Sequence, residues 1–208
     1  MEKYRALILD MDGTIMSSIE PLTLALQDTG DKWGIPITPE LLFIVHYQPS
    51  TQLEKALALG EGYAAFSRYF FERLKHYAHL MQLFPGIADL LTASVPLGIV
   101  TSEDRHELLY NLRRLGLNPD AFAALVCCDD TPYEKPHPYP LQYCVQQMGF
   151  APHQALYVGD SLFDRQCAQA AGVDFGLAGW GVQDAAPFAG VLHHFAAPGD
   201  ILAVLDLA

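Results

Sequence analysis

The chain has 208 residues, of which 51% are hydrophobic, and its 24 acidic and 12 basic residues produce a formal net charge of −12 at pH 7. This length and composition suit one domain, or one domain with a large insertion. The negative charge repels polyanions, so we expect neither nucleic acid nor an anionic membrane as the main partner. A small phosphorylated metabolite is compatible with it, because binding one requires only a locally positive site.

Membrane and secretion signals are not apparent in the sequence. No stretch reaches the roughly 18 to 20 consecutive apolar residues of a membrane span, and residues 1–4 lead into a short strand rather than a signal peptide. We therefore expect a cytoplasmic location. The four cysteines form no C-x-x-C pair, which predicts reduced, mostly buried thiols rather than disulfides or a zinc site. Nothing in the sequence specifies an oligomeric state.

Five short apolar runs, each followed by turn residues, predict strands that are buried on both faces. They lie at 6–9, 97–100, 124–127, 155–158 and 173–177. Helical patterns separate the later strands, at roughly 103–115, 137–148 and 161–171. This alternation predicts an α/β fold, a Rossmann-like parallel sheet flanked by helices.

A long segment after the first strand interrupts this alternation. Apolar and aromatic side chains recur there at spacings of three and four between Tyr63 and Met81, which predicts helices whose aromatic stripe serves packing. We therefore predict two domains, an α/β core of residues 1–16 and 84–208 and an inserted α-helical domain of residues 17–83.

Polar side chains follow four of the predicted strands or lie in the loops after them. They are Asp10 and Asp12, Thr101 and Ser102, Lys135, and Asp160 and Asp164. Because the carboxyl ends of parallel strands share one edge of a sheet, we expect these side chains to converge. Several carboxylates in one cleft oppose one another's ionisation, and a hard divalent cation relieves this repulsion. Oxygen ligands without a histidine or cysteine cluster favour Mg²⁺.

Each of these elements has a simpler explanation when it is taken alone. Residues 101–104 could cap the following helix, and Ser161 with Asp164 has the spacing of a capping box. Lys135 could be a solvated lysine in a proline-rich turn. Their occurrence together with the Asp10 and Asp12 pair favours a catalytic site.

The order and spacing of the four elements resemble the haloacid dehalogenase superfamily. The matching elements are Asp10-Met11-Asp12-Gly13-Thr14, Val100-Thr101-Ser102, Lys135-Pro136-His137-Pro138 and Gly159-Asp160-Ser161-Leu162-Phe163-Asp164. The inserted helical domain resembles that superfamily's cap, and residues 168–172 with Trp180-Gly181 resemble its phosphoglycolate phosphatase branch. The resemblance extends from Tyr4 to about Gly181.

This resemblance implies a Mg²⁺-dependent phosphatase acting on a small phosphate monoester, phosphoglycolate-like or a sugar phosphate. Asp10 would attack phosphorus to form an aspartyl phosphate, and Asp12 would protonate the leaving group and then activate water. Thr101, Ser102 and Lys135 would bind the phosphoryl oxygens.

The resemblance also implies a metal site and a substrate-contacting loop. Mg²⁺ would be held by the Asp10 carboxylate, the Asp12 backbone carbonyl and Asp160, with Asp164 as a further or supporting ligand. In the inserted domain, His46, Tyr47 and Gln48 lie where relatives discriminate between substrates, so we expect them to contact the leaving group.

Two other functions fit parts of the same pattern. A phosphomutase of the β-phosphoglucomutase type uses the same Asp pair but returns the phosphoryl group to a sugar, although Gly159 favours a phosphatase. A non-catalytic phosphate-binding domain could share the fold. Retention of all the motif residues, from Asp10 to Asp164, argues against that second alternative.

Overall fold

The computed structural model describes residues 3–47, 50–182 and 184–207. The chain divides into two compact units. One, here called the core, comprises Met1–Met16 and Leu83–Ala208, and the other, here called the helical unit, comprises Ser17–Gln82. The boundaries lie within one residue of those predicted for the two domains.

The described residues form the following strands and helices. The strands are β1 (Ala6–Leu9), β2 (Met16–Ser17), β3 (Gln82–Leu83), β4 (Leu97–Val100), β5 (Ala124–Val126), β6 (Ala155–Gly159), β7 (Asp174–Ala178) and β8 (His193–Phe195). The helices are α1 (Ile19–Trp33), α2 (Pro39–Tyr47), α3 (Ser50–Leu57), α4 (Tyr63–Tyr77), α5 (Ile87–Leu90), α6 (Arg105–Arg114), α7 (Tyr139–Met148) and α8 (Leu162–Ala171). In this part of the chain, no helix is long and apolar enough to cross a membrane.

A six-stranded parallel sheet forms the centre of the core, in the order β5-β4-β1-β6-β7-β8. β1 lies in the middle, with Leu9 opposite Ile99 of β4 and Val158 of β6. From β1 the chain builds β4 and β5 on one side and then crosses to build β6, β7 and β8 on the other. Such a reversal opens a crevice at the carboxyl ends of the central strands, where ligands bind in folds of this class. The predicted α/β fold is confirmed.

Burial explains why the strands were recognisable as apolar runs. Every residue of β1, β4 and β6 is buried, so these strands lack the alternation of a half-exposed sheet. β8, which begins with His193 and His194, was not among the predicted strands. His193 is buried in this edge strand, and its Nε2 lies 3.0 Å from the hydroxyl of Tyr4.

The core helices follow local capping rules. Asp104 precedes α6 and its side chain accepts a hydrogen bond from the backbone N–H of Glu107. Gly149 and Gly172 follow α7 and α8 in the left-handed conformation, which ends both helices. The four cysteines are unpaired, and three of them are buried, as expected for reduced thiols.

The helical unit packs around the aromatic stripe of α4. Phe66, Phe70 and Leu74, spaced four residues apart, are buried, and the ring of Trp33 meets that of Phe66 edge-on at 5.6 Å. The stripe therefore serves packing, as predicted. The predicted helical segment extends too far, because Met81 lies after the short 3₁₀ turn that follows α4.

Candidate active site

Three of the predicted carboxylates meet at the carboxyl edge of the sheet. Asp10 directly follows β1, and its backbone N–H donates to the carbonyl of Val158 at 2.9 Å, which extends the ladder by one residue. Asp160 follows β6, and Asp164 lies in the first turn of α8. Each contributes one oxygen to a buried group whose atoms all lie within 4.8 Å of one another. Elements distant in the sequence thus form one acidic cluster.

Lys135 supplies the positive charge of this cluster. Its Nζ donates to Asp10 Oδ1 and to Asp164 Oδ1, both at 2.7 Å, and its side chain is only 5% exposed. Burial alone would lower the pKa of Lys135, but the two carboxylates outweigh it and raise the pKa above its ordinary value. The side chain is therefore an ammonium ion at neutral pH.

Asp164 is held by protein donors at both of its oxygens. Oδ1 accepts from Lys135 and, at 2.7 Å, from the hydroxyl of Tyr157. Oδ2 accepts from the backbone N–H of Ser161 at 3.0 Å and from its hydroxyl at 2.6 Å, which completes the predicted capping box. Burial acts to raise the pKa of Asp164, but Lys135 and these donors lower it below its ordinary value. Asp164 is thus a fixed carboxylate anion.

Two glycines make room for the carboxylates. Gly13 has a φ of +72°, and a Cβ at this position would lie 2.0 Å from Asp160 Oδ2. A Cβ at Gly159 would lie 2.5 Å from the carboxyl carbon of Asp164. Any side chain at either position would displace one of these acids, so the glycines of both motifs are required by the site itself.

Asp10 and Asp160 have far fewer donors than Asp164. Among the described residues, Lys135 is the donor to Asp10 Oδ1, while no hydrogen bond is made to Asp10 Oδ2 or to the Asp160 carboxylate. Burial, followed by the charge of Asp164, raises the pKa of Asp10 to about 7. Burial and the charge of Asp10 raise the pKa of Asp160 well above its ordinary value. Three carboxylates facing one ammonium ion leave this site short of positive charge.

The other predicted residues occupy the surroundings of the cluster. Asp12 is half-buried, and its charge contributes to the raised pKa values of Asp10 and Asp160, although its side chain is outside the group of three. Thr101 is buried at the end of β4, and its hydroxyl oxygen accepts from the backbone N–H of Glu103 at 3.1 Å. Ser102 is exposed.

The predicted substrate loop belongs to the helical unit. His46 Nε2 lies 2.9 Å from the hydroxyl of Thr23, and burial lowers the pKa of His46. Tyr47 is the last residue of α2, and Gln48 lies outside the described residues. The contact of these three residues with a leaving group stays a prediction.

Two buried polar residues of the site were missed from the sequence. The hydroxyl of Tyr157 lies within hydrogen-bonding distance of Lys135 and Asp164, and a tyrosine within a run of aliphatic residues was the available signal. Glu103 was interpreted only as part of a helix cap. It is 7% exposed, and its Oε1 accepts from Asn111 Nδ2 at 2.6 Å.

The raised pKa of Asp10 predicts a pH-dependent effect on stability. The neutral carboxyl group of Asp10 contributes fully to the free energy of unfolding below about pH 4. This contribution is lost as the pH rises through about 7, because the buried carboxyl group must then ionise. With EDTA present, we expect Asp10→Asn and the wild type to unfold at similar temperatures at pH 5. At pH 8 the variant should be more stable, by about 2 kcal/mol.

Chemical denaturation at the two pH values measures this difference directly. Asp129→Asn is the matched control, because Asp129 is exposed at the carboxyl end of β5 and lies outside the cluster. Parallel pH profiles for the wild type and Asp10→Asn would contradict the prediction.

The chain is similar to known proteins over most of its length. Residues 7–178 match the family model described as haloacid dehalogenase-like hydrolase. A phosphoglycolate phosphatase of Chromobacterium violaceum is 30% identical over 200 residues, covering 89% of each chain. The pyrophosphatase PpaX of Bacillus pumilus is 29% identical over 182 residues, covering 85% of this chain and 83% of the relative.

A solved structure shows the same fold over nearly the whole chain. It is a crystal structure of a candidate phosphoglycolate phosphatase from Lactobacillus plantarum, with a TM-score of 0.86 and 33% sequence identity. It covers 98% of this chain and 100% of its own. The resemblance noted from the four motifs is confirmed, and the chain belongs to the haloacid dehalogenase-like hydrolase family.

Proposed function

We propose that this protein is a Mg²⁺-dependent phosphatase that hydrolyses a small phosphate monoester through an aspartyl phosphate on Asp10. The observation that carries the proposal is the environment of Asp10 at the end of the central strand. Lys135 holds one of its oxygens at 2.7 Å, while no described residue donates to the other. The relatives named phosphoglycolate phosphatase and pyrophosphatase support chemistry on phosphate groups.

In the first half-reaction, Asp10 Oδ2 attacks the phosphorus atom. A bond from Oδ2 to phosphorus forms while the bond from phosphorus to the ester oxygen breaks, and the leaving oxygen takes a proton from the carboxyl group of Asp12. The hydrogen bond from Lys135 to Asp10 Oδ1 supports Oδ2 as the attacking oxygen, because it fixes the carboxylate group without blocking the lone pairs of Oδ2.

The second half-reaction regenerates the enzyme. Asp12, now a carboxylate, accepts a proton from water as the water oxygen bonds to phosphorus. The bond from phosphorus to Asp10 Oδ2 then breaks, which restores the Asp10 carboxylate and releases inorganic phosphate. A half-buried position two residues from the nucleophile suits both proton transfers.

The residues of the cluster fit a hard divalent cation. Asp10 and Asp160 offer buried carboxylate oxygens with raised pKa values and few donors, and no histidine or cysteine joins the group. These two side chains, with the Asp12 backbone carbonyl, would hold Mg²⁺, which supplies positive charge to the transferring phosphoryl group. Asp164 would support the site by fixing Lys135, since both of its oxygens already have protein donors.

The remaining predicted residues have roles in binding. Thr101 and Ser102 would donate hydrogen bonds to the phosphoryl oxygens, where charge accumulates during transfer, and Lys135 would bind them through its positive charge. The helical unit would act as a cap that excludes water, and His46, Tyr47 and Gln48 would contact the leaving group. Phosphoglycolate and sugar phosphates are the substrates that this proposal favours.

Substitution of the Asp pair tests the roles of nucleophile and acid–base. We expect Asp10→Asn to abolish p-nitrophenyl phosphate hydrolysis, because an amide oxygen cannot form the acyl phosphate. Asp12→Asn should lower kcat by about 10²- to 10⁴-fold, the usual contribution of general acid–base catalysis. Asp129→Asn, an exposed substitution at the same sheet edge, should retain full activity. Equal, slow phosphate release by the wild type and Asp10→Asn would instead indicate a non-catalytic domain.

Metal removal tests the cation site through both activity and stability. EDTA should abolish turnover, and Mg²⁺ should restore it and raise the melting temperature at pH 8, since a ligand that binds only the folded state stabilises it. In Asp160→Asn, both responses should require at least about tenfold more Mg²⁺, because one carboxylate ligand is lost. An unchanged Mg²⁺ titration for this variant would exclude Asp160 as a ligand.

Product analysis separates the phosphatase from the phosphomutase alternative. With a panel of phosphoglycolate, sugar phosphates, nucleoside monophosphates and pyrophosphate, we expect stoichiometric release of inorganic phosphate from the preferred substrate. With β-glucose 1-phosphate, a mutase would form the isomeric sugar phosphate and release little phosphate. Isomerisation without phosphate release would therefore overturn the assignment as a phosphatase.

A further inference from the structure

All three protons of the Lys135 ammonium have acceptors within the core. Two of the hydrogen bonds, to Asp10 Oδ1 and Asp164 Oδ1, are 2.7 Å long, and the third, to the hydroxyl of Tyr157, is 3.3 Å long. An ammonium group has three donors and no acceptor, so its hydrogen-bonding capacity is fully used. Tyr157 is the uncharged member of this set.

Tyr157 reaches the site from the neighbouring strand. It belongs to β6, its side chain is completely buried, and its hydroxyl also lies 3.2 Å from the carbonyl oxygen of Val100 at the end of β4. Since β1 lies between β4 and β6, the side chain extends across the strand that leads to Asp10. A buried hydroxyl group therefore reaches Lys135 and Asp164 from β6.

The single hydroxyl proton of Tyr157 favours Asp164. The distance to Asp164 Oδ1 is 2.7 Å, shorter than the 3.2 Å to Val100, and a bond to a carboxylate anion is the stronger of the two. Donation to Asp164 leaves the hydroxyl oxygen free to accept from Lys135. Tyr157 thus contacts both members of the ion pair and has the correct polarity for each.

We propose that Tyr157 is a positioning residue, whose hydroxyl holds the pair of Lys135 and Asp164 in place while Asp10 carries the phosphoryl group. The inference rests on the proposed aspartyl phosphate mechanism. Esterification of Oδ2 removes the negative charge of Asp10, so that its Oδ1 becomes a weaker acceptor for Lys135. The ammonium group then depends on Asp164 and Tyr157 for its position.

This role predicts an effect on turnover rather than on substrate binding. Before reaction, Asp10 is charged and still holds Lys135, so loss of the Tyr157 hydroxyl should alter KM by less than about twofold. During phosphoryl transfer the hold of Asp10 weakens, and kcat should fall by about tenfold in Tyr157→Phe. The substitution removes one oxygen atom and retains the ring that packs in the core.

Tyr4→Phe is the matched control for the loss of a buried tyrosine hydroxyl. Tyr4 donates a hydrogen bond to Asp174 Oδ2 at 2.7 Å, and its hydroxyl also lies near His193. Asp174 and His193 are the first residues of β7 and β8, so they lie at the amino ends of the strands, whereas the site lies at the carboxyl ends. We expect this variant to lose stability, as Tyr157→Phe does, while its kcat and KM equal those of the wild type. Equal losses of kcat in the two variants would indicate a general effect of destabilisation and overturn the inference.

A double-mutant cycle with Asp164→Asn distinguishes positioning from simple packing. Asp164→Asn should itself lower kcat with little change in KM, which provides a second route if Tyr157→Phe folds poorly. If Tyr157 acts through Asp164, adding Tyr157→Phe to that variant should lower kcat by less than about twofold more.

The outcomes of this cycle separate the inference from the proposed function. A wild-type kcat in folded Tyr157→Phe, or losses of kcat that multiply in the double variant, would exclude the positioning role while leaving the phosphatase proposal intact. Failure of the wild type to release phosphate from any substrate of the panel would overturn both.

Discussion

A buried ammonium ion between two buried carboxylates is the interaction on which the rest of the site depends. Lys135 neutralises much of the charge of Asp10 and Asp164, which could not otherwise be ionised together in a desolvated crevice. Removal of Lys135 would leave the two buried carboxylates uncompensated, which is strongly destabilising. The surrounding features fix this geometry, because Gly159 admits Asp164, Ser161 binds its second oxygen, and Tyr157 contacts both it and Lys135.

The same cluster holds more negative charge than Lys135 can balance. Because of this excess, the pKa values of Asp10 and Asp160 are raised, so ionisation of these two carboxyl groups costs free energy in the folded protein. A bound divalent cation would compensate this excess, so the repulsion between the carboxylates favours binding of the metal. The repulsion among these carboxylates therefore lowers the stability of the folded protein, as is common at active sites.

Much of the architecture was predictable, because local rules and burial act in the same direction. The central strands are buried on both faces and appear as apolar runs, while the helical unit has aromatic residues at helical spacing around Phe66 and Phe70. β8 was harder to predict because its three residues include two histidines. Met81 was placed in a helix that ends before it, since periodicity does not mark the end of a helix that lacks a stop signal.

By itself, the sequence determined the chemical types at the sheet edge: an Asp pair, a hydroxyl pair, a lysine and a second Asp pair, each after a strand. The tertiary structure alone decided which of these groups touch and which are buried, because such contacts join residues far apart in the chain. Lys135 and Asp10 are separated by 125 positions. It also brings Tyr157 of β6 into contact with Asp164, a contact that no motif in the sequence indicates. Motifs specify reactive groups, whereas folding sets the distances and the desolvation that control their protonation.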